Sequence, residues 1–192
     1  MLSPFTVDSA AALAGPSWMR DRRVAAARRL DDRPWPTPDE EVWRYSRIDE
    51  LDLDDYRLAD VTDVTDRHAD AAAPPVLDAQ PIAVLTTVDG RKAAVDTDSG
   101  LSDRVRVGAV TDLDDGAELL GAVAGEAVDP FGDLNDAFLV DPVVIRVPAG
   151  VTVERPILVV HRLQADKALV CPRLVVDLGP GAQASVVEHI VS

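Results

Sequence analysis

The sequence predicts an α+β chain: an N-terminal helical region, a mixed α/β middle and a C-terminal start of an all-β solenoid. Three observations carry this. Trp18, Met19, Ala26 and Leu30 recur at helical spacing between Gly15-Pro16 and Pro34. After residue 140 the chain turns to short Val-rich stretches broken by Gly and Pro, with no helical period. Within that part, Val144-Ile145-Arg146-Val147-Pro148-Ala149-Gly150-Val151 resembles Val175-Val176-Asp177-Leu178-Gly179-Pro180-Gly181-Ala182, displaced by 31 residues. Each copy reads as strand, Gly/Pro corner, strand, and such repetition suggests coils that stack to bury an apolar face. The boundaries expected are 1–75, 76–140 and 141–192.

Pro16 suits a helix start, because the first turn leaves its N–H positions unpaired, and Pro34 stops the helix. A second helix is expected from Thr37. Thr37 and Glu40 have capping-box spacing, Pro38 fits the first helical position, and Asp39, Glu40 and Glu41 favour the positive end of the helix dipole. It would carry Val42, Trp43 and Tyr45 and end near Ile48. From Asp49 to Pro75 acids dominate and large apolar residues thin out, which reads as a solvated linker. Its carboxylates lack the spacing and glycine of an EF-hand loop.

Ile82–Val88, then Asp89-Gly90, then Lys92–Asp96 reads as a hairpin. A strand at 104–110, a helix at 112–127 and a short helix at 131–139 follow. The closing part divides into strands at 143–147, 151–153, 157–161, 174–178 and 182–190. Strand-like sequence continues to Ser192 without a cap, so the chain reads as a fragment, or as a solenoid whose exposed end is covered by something else.

Composition narrows the partners. A net charge of −15, from 34 acidic and 19 basic residues, repels nucleic acid and anionic membranes, leaving proteins as the expected partners. Of the basic residues only Lys92 and Lys167 are lysine, a bias typical of GC-rich coding. The first 14 residues lack a basic start and apolar stretch, so no signal peptide is expected, and no apolar run approaches the ~20 residues of a membrane span. The lone Cys171 permits no internal disulfide and fits a reducing cytosol; a cytoplasmic location is expected.

Five pieces in order resemble one family. They are Gly15-Pro16-Ser17-Trp18-Met19-Arg20-Asp21-Arg22-Arg23; Pro36-Thr37-Pro38-Asp39-Glu40-Glu41-Val42-Trp43-Arg44-Tyr45, similar to a TP-x-x-E-x-WRY helix start; Leu134-Asn135-Asp136-Ala137-Phe138, similar to LN-x-AF; Val144–Val151 running into Glu154-Arg155-Pro156-Ile157; and Gly179-Pro180-Gly181-Ala182 followed by Val186-Val187-Glu188-His189. Together they resemble the SufB/SufD family of iron–sulfur cluster assembly scaffold subunits, and SufD more than SufB. The resemblance implies an N-terminal helical domain, a right-handed parallel β-helix and a C-terminal helical domain. It implies a SufB–SufC–SufD complex in which a SufB-like subunit pairs through the β-helices and a SufC-like ATPase hydrolyses ATP. This chain would supply no catalysis and bind no cofactor alone, the cluster being assembled transiently on the full complex. The stretch to Ser192 holds only the first coils.

No catalytic, cofactor-binding or metal site is assigned. Cys171 reads as a small buried hydrophobe, since one thiolate does not hold a cluster. Glu188 and His189 are adjacent on a strand and point to opposite faces, so they do not converge on one ion. His161 and His68 carry no signal. No phosphate-binding G-x-x-x-x-G-K-[ST] run exists, and Gly179-Pro180-Gly181 reads as a corner. Trp18, Trp43 and Tyr45 are expected to pack the helical region, with a partner-docking patch as the alternative. Three other functions compete: a SufB-like paralogue, a β-helix enzyme acting on polysaccharide, and a cupin-like binding module. The enzyme would want stacked Asp, Lys and Arg and a secretion signal, and the cupin more than three histidines.

Overall fold

In a computed structural model, residues 4–59, 79–122 and 125–192 are described. The chain is mixed α/β, with four α-helices and several sheets among these residues. Helix α1 spans Val7–Ala12, and Thr6 caps it through a capping box with Ser9. Helix α2 spans Ser17–Asp32, starting behind Pro16 and stopping before Pro34 as the prolines dictate. Strands β1 (Arg57–Leu58), β2 (Ala83–Val88), β3 (Arg91–Thr97) and β4 (Arg106–Ala109) follow. Next come α3 (Gly116–Ala122) and α4 (Pro130–Phe138), then β5 (Val143–Val147), β6 (Ile157–Arg162), β7 (Ala168–Leu169), β8 (Leu174–Leu178) and β9 (Val186–Val191).

The expected hairpin is β2–β3. Asp89 and Gly90 both take positive φ (48° and 83°), as the mirror-image turn of a two-residue hairpin requires. The 31-residue repeat is the register of a parallel pair: Val143 faces Leu174, Val144 faces Val175, and Val147 faces Leu178. The corners stack at the same offset. Thr152 bridges Gln183, and Gly150 and Gly181 share a positive φ of 72° and 71°. Beyond the corner, β6 pairs parallel with β9, Ile157 facing Val186, so the second copy is two residues shorter there.

Two walls result, ordered β3-β2-β6-β9 and β4-β5-β8. Between them lies an apolar interior of Ala83, Leu85, Val143, Ile145, Val147, Ile157 and Val159. Alternation along β5 sends Val144 outward, where Met19, Val110, Leu120 and Leu139 cover it. A third cluster joins Phe5, Ala26, Leu30, Leu53, Leu134, Phe138 and Cys171, packing α1 and α2 against α4.

Three expectations need correction. No α-helix forms from Thr37. The Glu40 carboxylate does accept from the Thr37 N–H (3.0 Å), but the chain then continues as successive turns, with N–H groups of Trp43 and Ser46 bonding three residues back. Val42 and Tyr45 are 82% and 90% exposed, so no buried face rewards a helix, and a helix this short does not hold by itself. The expected linker is ordered over its first part. Ile48–Glu50 and Leu53–Asp55 form 3₁₀ turns, Ile48 and Leu53 are buried, and β1 pairs parallel with β7. The rest of that stretch, from residue 60, lies outside the described residues, as does His68. The helix expected at 112–127 is shorter, because a 3₁₀ turn occupies Val110–Asp112 and α3 begins at Gly116.

Candidate functional site

Residues Ile157, Val159 and His161 share one face of β6, and the first two lie in the apolar interior. His161 is therefore a polar group on a core-facing row, 2% exposed, and it must be satisfied from within the protein. Thr87 sits opposite it on β2, and its hydroxyl lies 2.7 Å from Nδ1. From β9, Glu188 Oε1 lies 2.9 Å from Nε2. Three neighbouring strands thus line up a Thr–His–Glu row at one end of the interior. With the ring neutral, the Thr87 hydroxyl donates to Nδ1 and the Nε2–H donates to the carboxylate, which satisfies both nitrogens.

The row has the atom types of an acyl-transfer triad. However, Thr87 is 1% exposed, so no substrate carbonyl reaches its hydroxyl. What the row does is tie three strands across their shared interior. Glu188 pairs with His161 and not with its sequence neighbour His189, as the alternation of a strand demands. His161 was missed because a single histidine carries no motif; the usable signal was its place two residues after Val159 on the apolar row.

Cys171 lies in the helical cluster with its Sγ 3.8 Å from the Leu134 carbonyl oxygen. Burial pushes its thiol up to about 12, against a smaller downward pull from Arg173. It is a neutral thiol at physiological pH and a poor metal ligand as it stands. Among the described residues, no three His, Cys, Asp or Glu side chains gather closely enough to hold an ion.

The sequence motifs resolve into polar ties. Arg23 is 1% exposed, and its guanidinium donates to the carbonyls of Leu13 (3.1 Å), Ala14 (2.9 Å), Leu139 (2.6 Å) and Val140 (3.0 Å). Desolvation lowers its pKa to about 10, which still leaves it charged at neutral pH. In Leu134-Asn135-Asp136-Ala137-Phe138, Leu134, Ala137 and Phe138 are core. Asn135 donates to the Pro172 carbonyl and accepts from Arg173. Asp136 is paired with Arg22 (3.1 Å) and Arg173, and its neighbour Asp133 with Arg29 (2.8 Å) and Arg33 (2.7 Å). Of the aromatics, Trp18 packs beside Met19 and Leu120, and Trp43 packs on Phe131 at 5.2 Å. Tyr45 stands in solvent, against the expectation that it packs.

Strands β8 and β9 end their sheets, and Val176, Leu178 and Ile190 on them are 44%, 45% and 58% exposed. No described helix is long and apolar enough to cross a membrane. Compared with known families, the chain matches the model of the SufBD protein N-terminal region over residues 10–159. No curated protein matches it.

Proposed function

The chain belongs to the family of the SufBD protein N-terminal region, which points to SUF iron–sulfur cluster assembly, and on that premise we propose that it is the N-terminal part of a non-catalytic, SufD-type scaffold subunit. Its working form is a SufB–SufC–SufD type complex in the cytoplasm, joined by a SufB-like subunit and a SufC-like ATPase. The observation that carries this is the family match, which runs from the end of α1 into β6 and so includes both the helical layer and the strands up to β5. The stacked corners support the finer reading. A parallel pair in 31-residue register, with equivalent glycines at equivalent corners, is what stacked solenoid coils require. The SufD assignment rests on the resemblance of the helix-start piece and on the absence of further cysteines.

Under this reading the chain holds no resident cofactor. Its one thiol is buried and neutral, and the Thr87–His161–Glu188 row is closed to substrate. The cluster is cargo, assembled on the whole complex.

The test is co-purification of the full-length gene product with SufB-like and SufC-like subunits from the same source. Stable association with both is expected. A product that takes the place of the SufB-like subunit, in preference to joining it, makes the chain SufB-like. A product that ignores both subunits and cleaves a polysaccharide overturns the scaffold reading.

A further inference from the structure

The turns after Thr37 and the 3₁₀ turns at Ile48–Glu50 and Leu53–Asp55 leave apolar side chains where a linker should show none. An open groove of about 270 Å³ runs between Leu51, Leu53 and Tyr56 on one side and Phe131, Leu163 and Leu169 on the other. Phe131 is a fixed wall, its ring held between Trp35 at 4.9 Å and Trp43 at 5.2 Å. Val42 and Tyr45, on the same turns as Trp43, stand almost wholly in solvent, and so does Val128 just before α4. A groove of this size lies below the ~300–1,000 Å³ of small-molecule pockets. It suits one or two bulky side chains presented by another protein.

Charge selects among such proteins. The wall from Asp49 to Tyr56 carries five carboxylates (Asp49, Glu50, Asp52, Asp54, Asp55), against the two flanking cations Arg47 and Arg57. Arg47 engages Glu50, and Lys167 reaches Asp55 only at 3.8 Å, between exposed groups. Asp49, Asp52 and Asp54 are exposed. An acidic rim beside an apolar trough repels nucleic acid and anionic lipid and attracts cationic side chains flanking an apolar anchor. A second copy of the chain, itself at −15, meets the same repulsion.

We propose that this groove docks a basic amphipathic segment of a partner protein, its apolar residues entering between Tyr56 and Phe131 and its Lys or Arg residues facing Asp49, Asp52 and Asp54. The mode is a helix laid in a groove, with anchors on one helical face and charge at the rim. The proposal does not depend on the scaffold reading, since it rests on this surface alone.

The experiment titrates the full-length protein with a labelled helical Leu/Lys model peptide and with its Leu/Glu counterpart, at low and physiological salt. Saturable binding of the Leu/Lys peptide alone is expected, with a change in Trp43 fluorescence that a Trp43→Phe variant lacks. Tyr56→Asp should weaken it at least about tenfold. Asp49→Lys combined with Asp54→Lys should weaken the basic peptide and admit the acidic one, with the thermal melt unchanged in both variants. Equal binding to Tyr56→Asp would mean unspecific attraction and overturns the proposal, as does binding of both peptides or of neither. A concentration-dependent dimer abolished by Tyr56→Asp assigns the groove to a second copy and overturns it as well.

Discussion

In the helical layer, polar ties join residues far apart in the sequence: Arg23 reaches Leu139 and Val140, Arg29 reaches Asp133, and Arg22 reaches Asp136. In the sheet walls, β8 repeats β5 at an offset of 31 residues and β9 repeats β6 at 29, and most of the facing residues are Val, Leu and Ile on parallel rows. The helical layer therefore depends on individual residues, each with a defined set of partners. The walls depend on a pattern that many apolar side chains satisfy, except at the corners and where a polar row breaks it. Single substitutions should cost most where one residue holds several partners, and least where packing is generic.

The largest effect is expected at Arg23. Truncation to alanine orphans four carbonyls, that of Leu139 buried and the other three partly so, and opens a hole among α1, α2 and the chain after α4. The cost should be about 3–5 kcal/mol, read as a shift of the urea midpoint. Lysine should recover little, because it cannot reproduce the planar fork of donors. Amide exchange sharpens the comparison: protection should fall in α1 and α2 and persist in β5 and β6. Equal loss in both would show that the two regions unfold as one unit.

At the corners, the walls stop being tolerant. A Cβ on Gly179 would overlap the Ala149 backbone nitrogen and lie 2.8 Å from the Ala149 Cα, where one corner sits on the next. Gly179→Val should cost about 2–3 kcal/mol, through displacement of the stacked backbone. Gly150→Ala meets open space but holds a φ of +72°, and should cost about 1 kcal/mol from conformation alone. Thermal melts of the two variants give the order. Reversal would mean that backbone strain, and not coil stacking, limits the corner.

Legibility followed the same division. The repeat of Val144–Val151 at Val175–Ala182 gave the strand register itself, because stacking forces equivalent residues into equivalent positions. Asp89-Gly90 and the prolines at 16 and 34 were readable because their backbone preferences act locally. The helix expected from Thr37 failed for the opposite reason. Its capping signal is genuine and partly used, but helix growth needs a buried face, and Val42 and Tyr45 have none. The buried turn at Leu53 was hidden because its burial by α4 and β7 is decided by distant chain. The Thr87–His161–Glu188 row joins residues 27 and 74 apart, pairings that only the register of three strands reveals.

That row lets the walls be probed for residue-specific ties. His161→Leu leaves the Thr87 hydroxyl buried without its partner and should cost about 1–2 kcal/mol. The double variant with Thr87→Val replaces both partners by apolar groups and should recover much of that loss. A coupling of at least about 0.5 kcal/mol in a double-mutant cycle is expected from urea unfolding. Additive losses would show that the contact is incidental and that the walls are generic throughout.

The smallest effect concerns Cys171, where the helical cluster meets the strand that enters β8. Burial raises its thiol from 9.0 to about 12. The unfolded chain therefore gives up this proton first as pH rises, and the folded chain binds more protons between those values. Stability from this group is complete below about pH 9 and falls as pH climbs toward 12. By pH 10 the loss should be about 1 kcal/mol, and Cys171→Ala should lack that increment. The comparison is between urea midpoints of the two proteins at pH 8 and pH 10, where the other titrating groups are common to both. Parallel pH dependence would mean that the thiol meets water in the folded state, and that the junction between helical cluster and coil is looser than its packing implies.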